Sequence, residues 1–235
     1  MAEGGARAAT ARRLGETLRG DAWWAETIPV VLVLGAAHVA ARAAGARAAA
    51  DLSKAVPIAL LAGLVAAEPA PVGQAYRWLV FAGLLCSLGG DVWLLFPRGF
   101  VAGLFNFLVA HLLYIAAFAP GGPWNASAWA LLAPFALVSL ATLRYLWPHL
   151  GRERTPVAVY VSVIAVMGWR AAARASATST PPASGGFALA GALLFMLSDG
   201  LLATDRFARR LRAAEPAVMT TYYAAQTLIA LSVRG

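Results

Sequence analysis

YRWLVFAGLLCSLGGDVWLLFPRGFVAGLFNFLVAHLLYIAAFA, residues 76–119, holds two apolar runs separated only by Pro97-Arg98-Gly99. Each run is close to the roughly 20 residues a helix needs to cross the hydrocarbon core of a bilayer. A connection this short has room only to reverse the chain, so it predicts two antiparallel helices lying side by side. One acid, Asp91, and one histidine, His111, fall inside these runs. Ionisable groups among lipid tails are costly, which makes both functional candidates.

Working outward, further apolar windows are expected at residues 28–44, 53–67, 129–147, 156–172, 187–203 and 218–233, which with 76–96 and 100–119 give about eight spans. The second is the shortest and carries Pro57 in its first turn, where a helix tolerates proline because that amide has no intrahelical partner. Trp23, Trp24, Trp78, Trp124, Trp129, Trp147 and Trp169 lie near span ends, as interfacial anchors do. The Ser/Thr/Pro/Gly-rich piece 176–186 reads as a flexible loop. The expected organisation is an Arg-rich tail, 1–26, poorly ordered or interfacial, followed by an all-α transmembrane bundle, 27–235.

Composition agrees with this reading. Of 235 residues, 60% are hydrophobic and 13% charged, about half the charged share of a soluble domain. Little chain is left over for a soluble catalytic domain. The formal charge of +8 comes from 19 Lys and Arg, placed mostly in the tail and between apolar runs, where cations meet lipid headgroups. No basic stripe with interleaved aromatics appears, so nucleic acid is not an expected partner. The single cysteine, Cys86, can form no internal disulfide. Basic residues divide too evenly between the two sets of loops to orient the bundle.

Asp91 and Asp199 are the acids inside apolar segments, each a few residues before its span ends. Asp91 lies five residues before Phe96, about 7.5 Å along the helix axis, and Asp199 sits at a similar depth in the seventh span. If helices alternate in direction, the two carboxylates share one leaflet. Lys54 opens the second span from that side. Asn106, His111 and Tyr114 enter with the fourth, Tyr160 with the sixth, and Tyr222, Tyr223 and Gln226 with the eighth. Ser87 stands one turn from Asp91, and Ser198 directly precedes Asp199. The pattern predicts a polar pocket in one half of the membrane.

Plainer roles exist for most of these residues. Lys54 can snorkel to the interface, the tyrosines can wall the bundle, Gln226 can bond between helices, and His111 can be a buried packing partner. The three histidines are scattered, and no His or Cys cluster has metal-ligand spacing, so neither a metal nor another cofactor is expected. No G-x-S-x-G elbow and no phosphate-cradling glycine loop occurs. The surviving chemistry is that of two aspartates, used for acid catalysis or, alternatively, as an ion relay in a small-solute or proton-coupled transporter or channel.

The stretch 86–118 resembles the YhhN-like membrane family, which includes the lysoplasmalogenases. Its S-x-x-G-D element corresponds to Ser87, Gly90 and Asp91, and its F-x-x-x-H-x-x-Y element to Phe107, His111 and Tyr114. Lys54 with Pro57, Pro156 with Tyr160, FMLSDGLLATDRF with Ser198, Asp199 and Phe207, and YYAAQTLIALS with Tyr222 and Gln226 follow in family order. The long Arg-rich tail, the extended Ser/Pro loop and a proline-poor second loop depart from the pattern, and none touches these motifs.

The resemblance implies an integral membrane protein, expected in a bacterial inner membrane, that takes a lysophospholipid from the surrounding lipid. It would hydrolyse the vinyl ether bond of lysoplasmalogens to a fatty aldehyde and a glycerophospho-ethanolamine or -choline. Another lysolipid hydrolase is the neighbouring alternative. Vinyl ether cleavage passes through an oxocarbenium ion, so it asks for one protonated carboxyl and one carboxylate, as glycoside hydrolysis does. Asp91 and Asp199 fit as the catalytic pair. Lys54, Ser87, Asn106, His111, Tyr114, Tyr160, Ser198, Tyr222 and Gln226 are the expected substrate-binding residues. Lys54 would hold the phosphate, and His111 and Tyr114 would orient a carboxylate or water.

Overall fold

The computed structural model describes residues 2–46, 51, 53–119 and 126–234, giving the backbone alone for 2–21, 126 and 127. The described residues form eight longer helices. They are α1 (Ala2–Ala43), α2 (Val56–Ala67), α3 (Gln74–Trp93), α4 (Phe100–Ala117), α5 (Leu132–Leu146), α6 (Arg154–Ala175), α7 (Pro182–Ala203) and α8 (Ala214–Leu231). A short helical piece, Ala126–Ala130, leads into α5, and a π-helical turn, Thr204–Ala208, follows α7. Among the described residues the extended pairing is a single isolated bridge, Pro71 with Arg234.

Among the described residues, five helical segments are long and apolar enough to cross a membrane: Ala22–Ala43, Phe100–Ala117, Ala128–His149, Gly151–Ala175 and Pro182–Ala208. Helix α2, at 12 residues, is too short to cross alone. It lies inside the bundle with Ile58, Leu61 and Val65 fully buried. Helices α3 and α8 are long enough but less apolar, because they carry Ser87, Asp91, Tyr222, Tyr223 and Gln226 on buried faces.

Helices α3 and α4 form one tight hairpin and α7 and α8 a second. Helix α8 is central, touching α1, α2, α3 and α7, while α6 joins α7, α4 and α5. Lipid tails are as apolar as leucine, so small residues and close backbone approach decide which helices pair. At Gly83 a Cβ would collide with the Tyr114 ring, and at Gly90 it would stand 2.7 Å from Phe107. Gly191 lets α7 approach Ile229 and the Ala225 carbonyl of α8 in the same way. Helix α5 instead faces outward with Leu137, Val138 and Leu140, burying only Phe135 and Leu146.

Two local expectations change. Residues 182–186 belong to α7 and not to a flexible loop. Pro182 fits a first turn, the Ser184 hydroxyl donates to the Ser232 carbonyl at 2.6 Å while accepting from Arg174, and Gly185 lies against Ala175. Of the tryptophans, Trp23, Trp78, Trp129 and Trp147 are exposed, but Trp24 and Trp169 are buried, and Trp124 lies outside the described residues. Buried indoles need an acceptor. Trp24 donates to Glu68 and Trp169 to the Ala128 carbonyl, each at 2.6 Å.

Gly90→Val pushes a branched side chain into the Phe107 ring, an overpacking that costs about 1–3 kcal/mol. The melting temperature in detergent is expected to fall clearly for this variant. Gly63→Ala, where a Cβ meets nothing within 4 Å, serves as the neutral comparison. Equal melting of the two variants would refute the α3–α4 contact.

Candidate functional site

Asp91 lies in the last turns of α3, buried, after the Gly89-Gly90 pair. A carboxylate there must be neutralised or hydrogen-bonded, and two other elements supply partners. Lys54, in the turn before α2, brings Nζ to 3.3 Å from Oδ1. Tyr222 of α8 donates its hydroxyl to Oδ2 at 2.7 Å. The neighbouring Tyr223 donates to the Lys54 carbonyl at 2.9 Å, which fixes that turn against α8.

Asp199, near the end of α7, has different company. Tyr160 of α6 donates to its Oδ2 at 3.0 Å, and His111 Nε2 of α4 lies 3.5 Å from the same oxygen. The other ring nitrogen, Nδ1, is 2.5 Å from the Phe107 carbonyl oxygen. A carbonyl only accepts, so Nδ1 carries the hydrogen. In the neutral ring Nε2 therefore presents a lone pair to a carboxylate oxygen, and the contact becomes favourable when one proton lies on the Asp199–His111 couple.

Both aspartates line one cavity of about 700 Å³, together with Lys54, Phe107, Ser198 and Tyr222. Phe107, Phe195 and Tyr222 pack edge to face with ring centroids 5.5 to 6.4 Å apart, and Phe195 meets the His111 ring at 4.6 Å. These rings form an aromatic wall beside the carboxylates.

Other candidates lie deeper or serve packing. Tyr114 donates to Gln226 Oε1 at 2.8 Å, with Ser87 beside it, and all three are buried away from the cavity lining. Asn106 donates to the Ala102 carbonyl of its own helix, and Ser198, although on the cavity, donates to the Val218 carbonyl of α8. Lys54, expected on a phosphate, is held by Asp91. Its ammonium has three donors, which leaves capacity for a second anion.

The outer part of the cavity holds groups not foreseen from sequence: Arg42, Asp205, Arg210, Arg212 and Glu215. Arg42 pairs with Asp51 and Glu215, and Arg210 with Asp205. The signal was the charge-dense run 205–215, DRFARRLRAAE, directly after the span carrying Asp199. Among the described residues, no group of three or more His, Cys, Asp or Glu is placed to hold a metal ion.

The profile of the YhhN family matches residues 49–233. The chain belongs to the YhhN family. It is 42% identical over 185 residues to the human protein named lysoplasmalogenase TMEM86B, covering 78% of this chain and 74% of the relative. The bovine protein named lysoplasmalogenase TMEM86A is 39% identical over 165 residues, 65% of this chain and 64% of its own. The protein named uncharacterized membrane protein YhhN from Escherichia coli O157:H7 is 31% identical over 178 residues, 75% and 84% respectively. No solved structure matches the chain. Every site residue from Lys54 to Gln226 lies within the family match, and this YhhN-family chain is an integral membrane protein.

Removing one partner of a buried ion pair costs about 3–5 kcal/mol, because the other charge is left uncompensated. Lys54→Met should therefore lower the melting temperature markedly, and adding Asp91→Asn should restore most of the loss. Additive losses in this double-mutant cycle would show that the two side chains do not interact.

Proposed function

We propose that this YhhN-family protein is a lysoplasmalogenase-like hydrolase of a bacterial inner membrane. In this reading it cleaves the vinyl ether bond of lysoplasmalogens by acid catalysis with Asp91 and Asp199. The observation that carries the reading is that two aspartates from distant helices border one cavity, each accepting from a tyrosine, and differ in their second partner, a lysine for Asp91 and an imidazole for Asp199. The relatives named lysoplasmalogenase support the substrate class. Apolar helices, as opposed to a closed barrel, suit an inner membrane.

The division of labour follows from those partners. Asp91, facing an ammonium, is the carboxylate. Asp199, sharing a proton with His111, is the acid. Its proton passes to the vinyl carbon remote from oxygen, the C=C π bond is consumed, and an oxocarbenium ion remains. The Asp91 carboxylate stabilises that positive charge across the cavity. Water adds to the carbon bonded to oxygen, and its proton returns to the Asp199–His111 couple. The hemiacetal then breaks its bond to the glycerol oxygen as its hydroxyl becomes the carbonyl, the hydroxyl proton passes to the glycerol oxygen, which leaves as the alcohol, and the chain leaves as the aldehyde. One water is consumed and no net proton.

General acid catalysis by a positioned group contributes roughly 10²–10⁴-fold. Asp91→Asn and Asp199→Asn, each purified as a folded protein in detergent, should lose about 100-fold or more of aldehyde release from a 1-alkenyl lysophosphatidylethanolamine. Activity within about twofold of the unsubstituted protein for either variant would remove that residue from the chemistry. Solute uptake into proteoliposomes with no aldehyde formed would replace hydrolysis by transport.

A further inference from the structure

Asp199 borders a second cavity, of about 720 Å³, on the other side of α7. Its walls come from Phe100 and Leu104 of α4, from α5 between Pro134 and Tyr145, from α6 between Val157 and Ile164, from α7 between Leu193 and Ala203 and from the turn after it, and its lining is mostly apolar, with Asp199 and Arg206 as its charged members. Asp199 and Leu202 are common to both cavities. Beside Asp199, at Gly200, an added Cβ would meet nothing within 4 Å, so the space is open next to the acid. The lining residues Val138 and Leu193 are about half exposed, at 58% and 47%. The cavity thus opens sideways, towards the face that lipid covers.

We propose that this cavity is the binding site for the single hydrocarbon chain of the substrate. The chain enters laterally from the bilayer between α4 and α5, while the headgroup lies in the polar cavity. This rests on the hydrolase reading and adds to it a location for each half of the molecule. In a lysolipid the scissile vinyl ether is the junction between an apolar tail and a charged head. In the protein the junction between an apolar and a charged cavity is Asp199. The polar side offers Arg42, Lys54, Arg210 and Arg212 to a phosphate, and the apolar side presents a volume within the roughly 300–1,000 Å³ that one small ligand fills. A chain placed this way brings its first two carbons to the acid, and its length is measured by how far it runs towards the opposite membrane face.

Leu193 lies six residues before Asp199 on α7, about 9 Å deeper along the helix. The test is the ratio of kcat/KM for a 16-carbon to an 8-carbon alkenyl lysolipid in Leu193→Trp and, from the facing wall, Val138→Trp. The ratio is expected to fall tenfold or more in both. In Val33→Trp, on the exposed face of α1, it should stay at that of the unsubstituted protein. An unchanged ratio in both cavity variants would overturn the chain site while leaving hydrolysis intact. Independently of activity, a saturated 1-O-alkyl lysolipid carrying a terminal diazirine should crosslink to peptides of α5 and α6. Crosslinks confined to α1 and α8 would also overturn the proposal. If no vinyl ether is cleaved by any form, the hydrolase reading fails, and the crosslinking pattern still decides where the chain binds.

Discussion

A carboxylate inside a bundle whose outer surface meets lipid has to be given a cation or a donor, and that requirement decides much of the arrangement here. Asp91 draws in the turn before α2 through Lys54, and α8 through Tyr222. Asp199 draws in α6 through Tyr160 and α4 through His111. Burial of apolar surface does little to choose among these contacts, since an apolar face is equally content against lipid or another helix. The two acids and the close-approach glycines 83, 90 and 191 are what select neighbours.

The unlike partners of the acids also give the cavity its chemical polarity. Asp91 faces an ammonium, whereas Asp199 faces an imidazole whose Nδ1 hydrogen is tied to the Phe107 carbonyl. The Phe107 carbonyl thus acts through the histidine tautomer. In a helix that carbonyl would ordinarily bond only the amide of residue 111, four positions on, so the spacing F-x-x-x-H places the ring where it can reach the same oxygen.

Much of the fold was legible because span length and alternation are strong constraints. The hairpin 76–119 appears as α3 and α4, and the prediction that odd spans end and even spans begin on one side places Lys54, Asp91, His111, Tyr160, Asp199 and Tyr222 at one end of the bundle. Pairing was not legible, because depth along a helix says nothing about rotation around it. Tyr114 follows His111 and Gln226 follows Tyr222 by about one turn, yet the two turn towards each other, away from the cavity. Arg42, Arg210 and Arg212 were read only as headgroup contacts, since a basic residue in a short loop looks the same whether it faces lipid or a cavity mouth. Helix α7 begins inside a stretch composed like a loop because Ser184 finds acceptor and donor on α8 and α6, partners that only tertiary structure supplies.

The far end of the bundle bears on whether a relay or a reaction is the better reading of the paired acids. Alternating access needs a way through to the second face. There, Tyr76 and Ser232 hydroxyls meet at 2.6 Å, Ser184 donates to the Ser232 carbonyl, and the Arg174 guanidinium lies 4.0 Å from the Tyr76 ring centre. The Val72 amide donates to the Val233 carbonyl, and Glu68 accepts from Trp24. Between this layer and the acids lie Phe118, Tyr114 and Phe195, all fully buried. The two cavities that meet at Asp199 lie at the end of the bundle that carries the acids, one lined by arginines and the other by apolar side chains. Under the proposed hydrolysis, the polar product would leave through the mouth lined by arginines and the apolar one sideways into the bilayer.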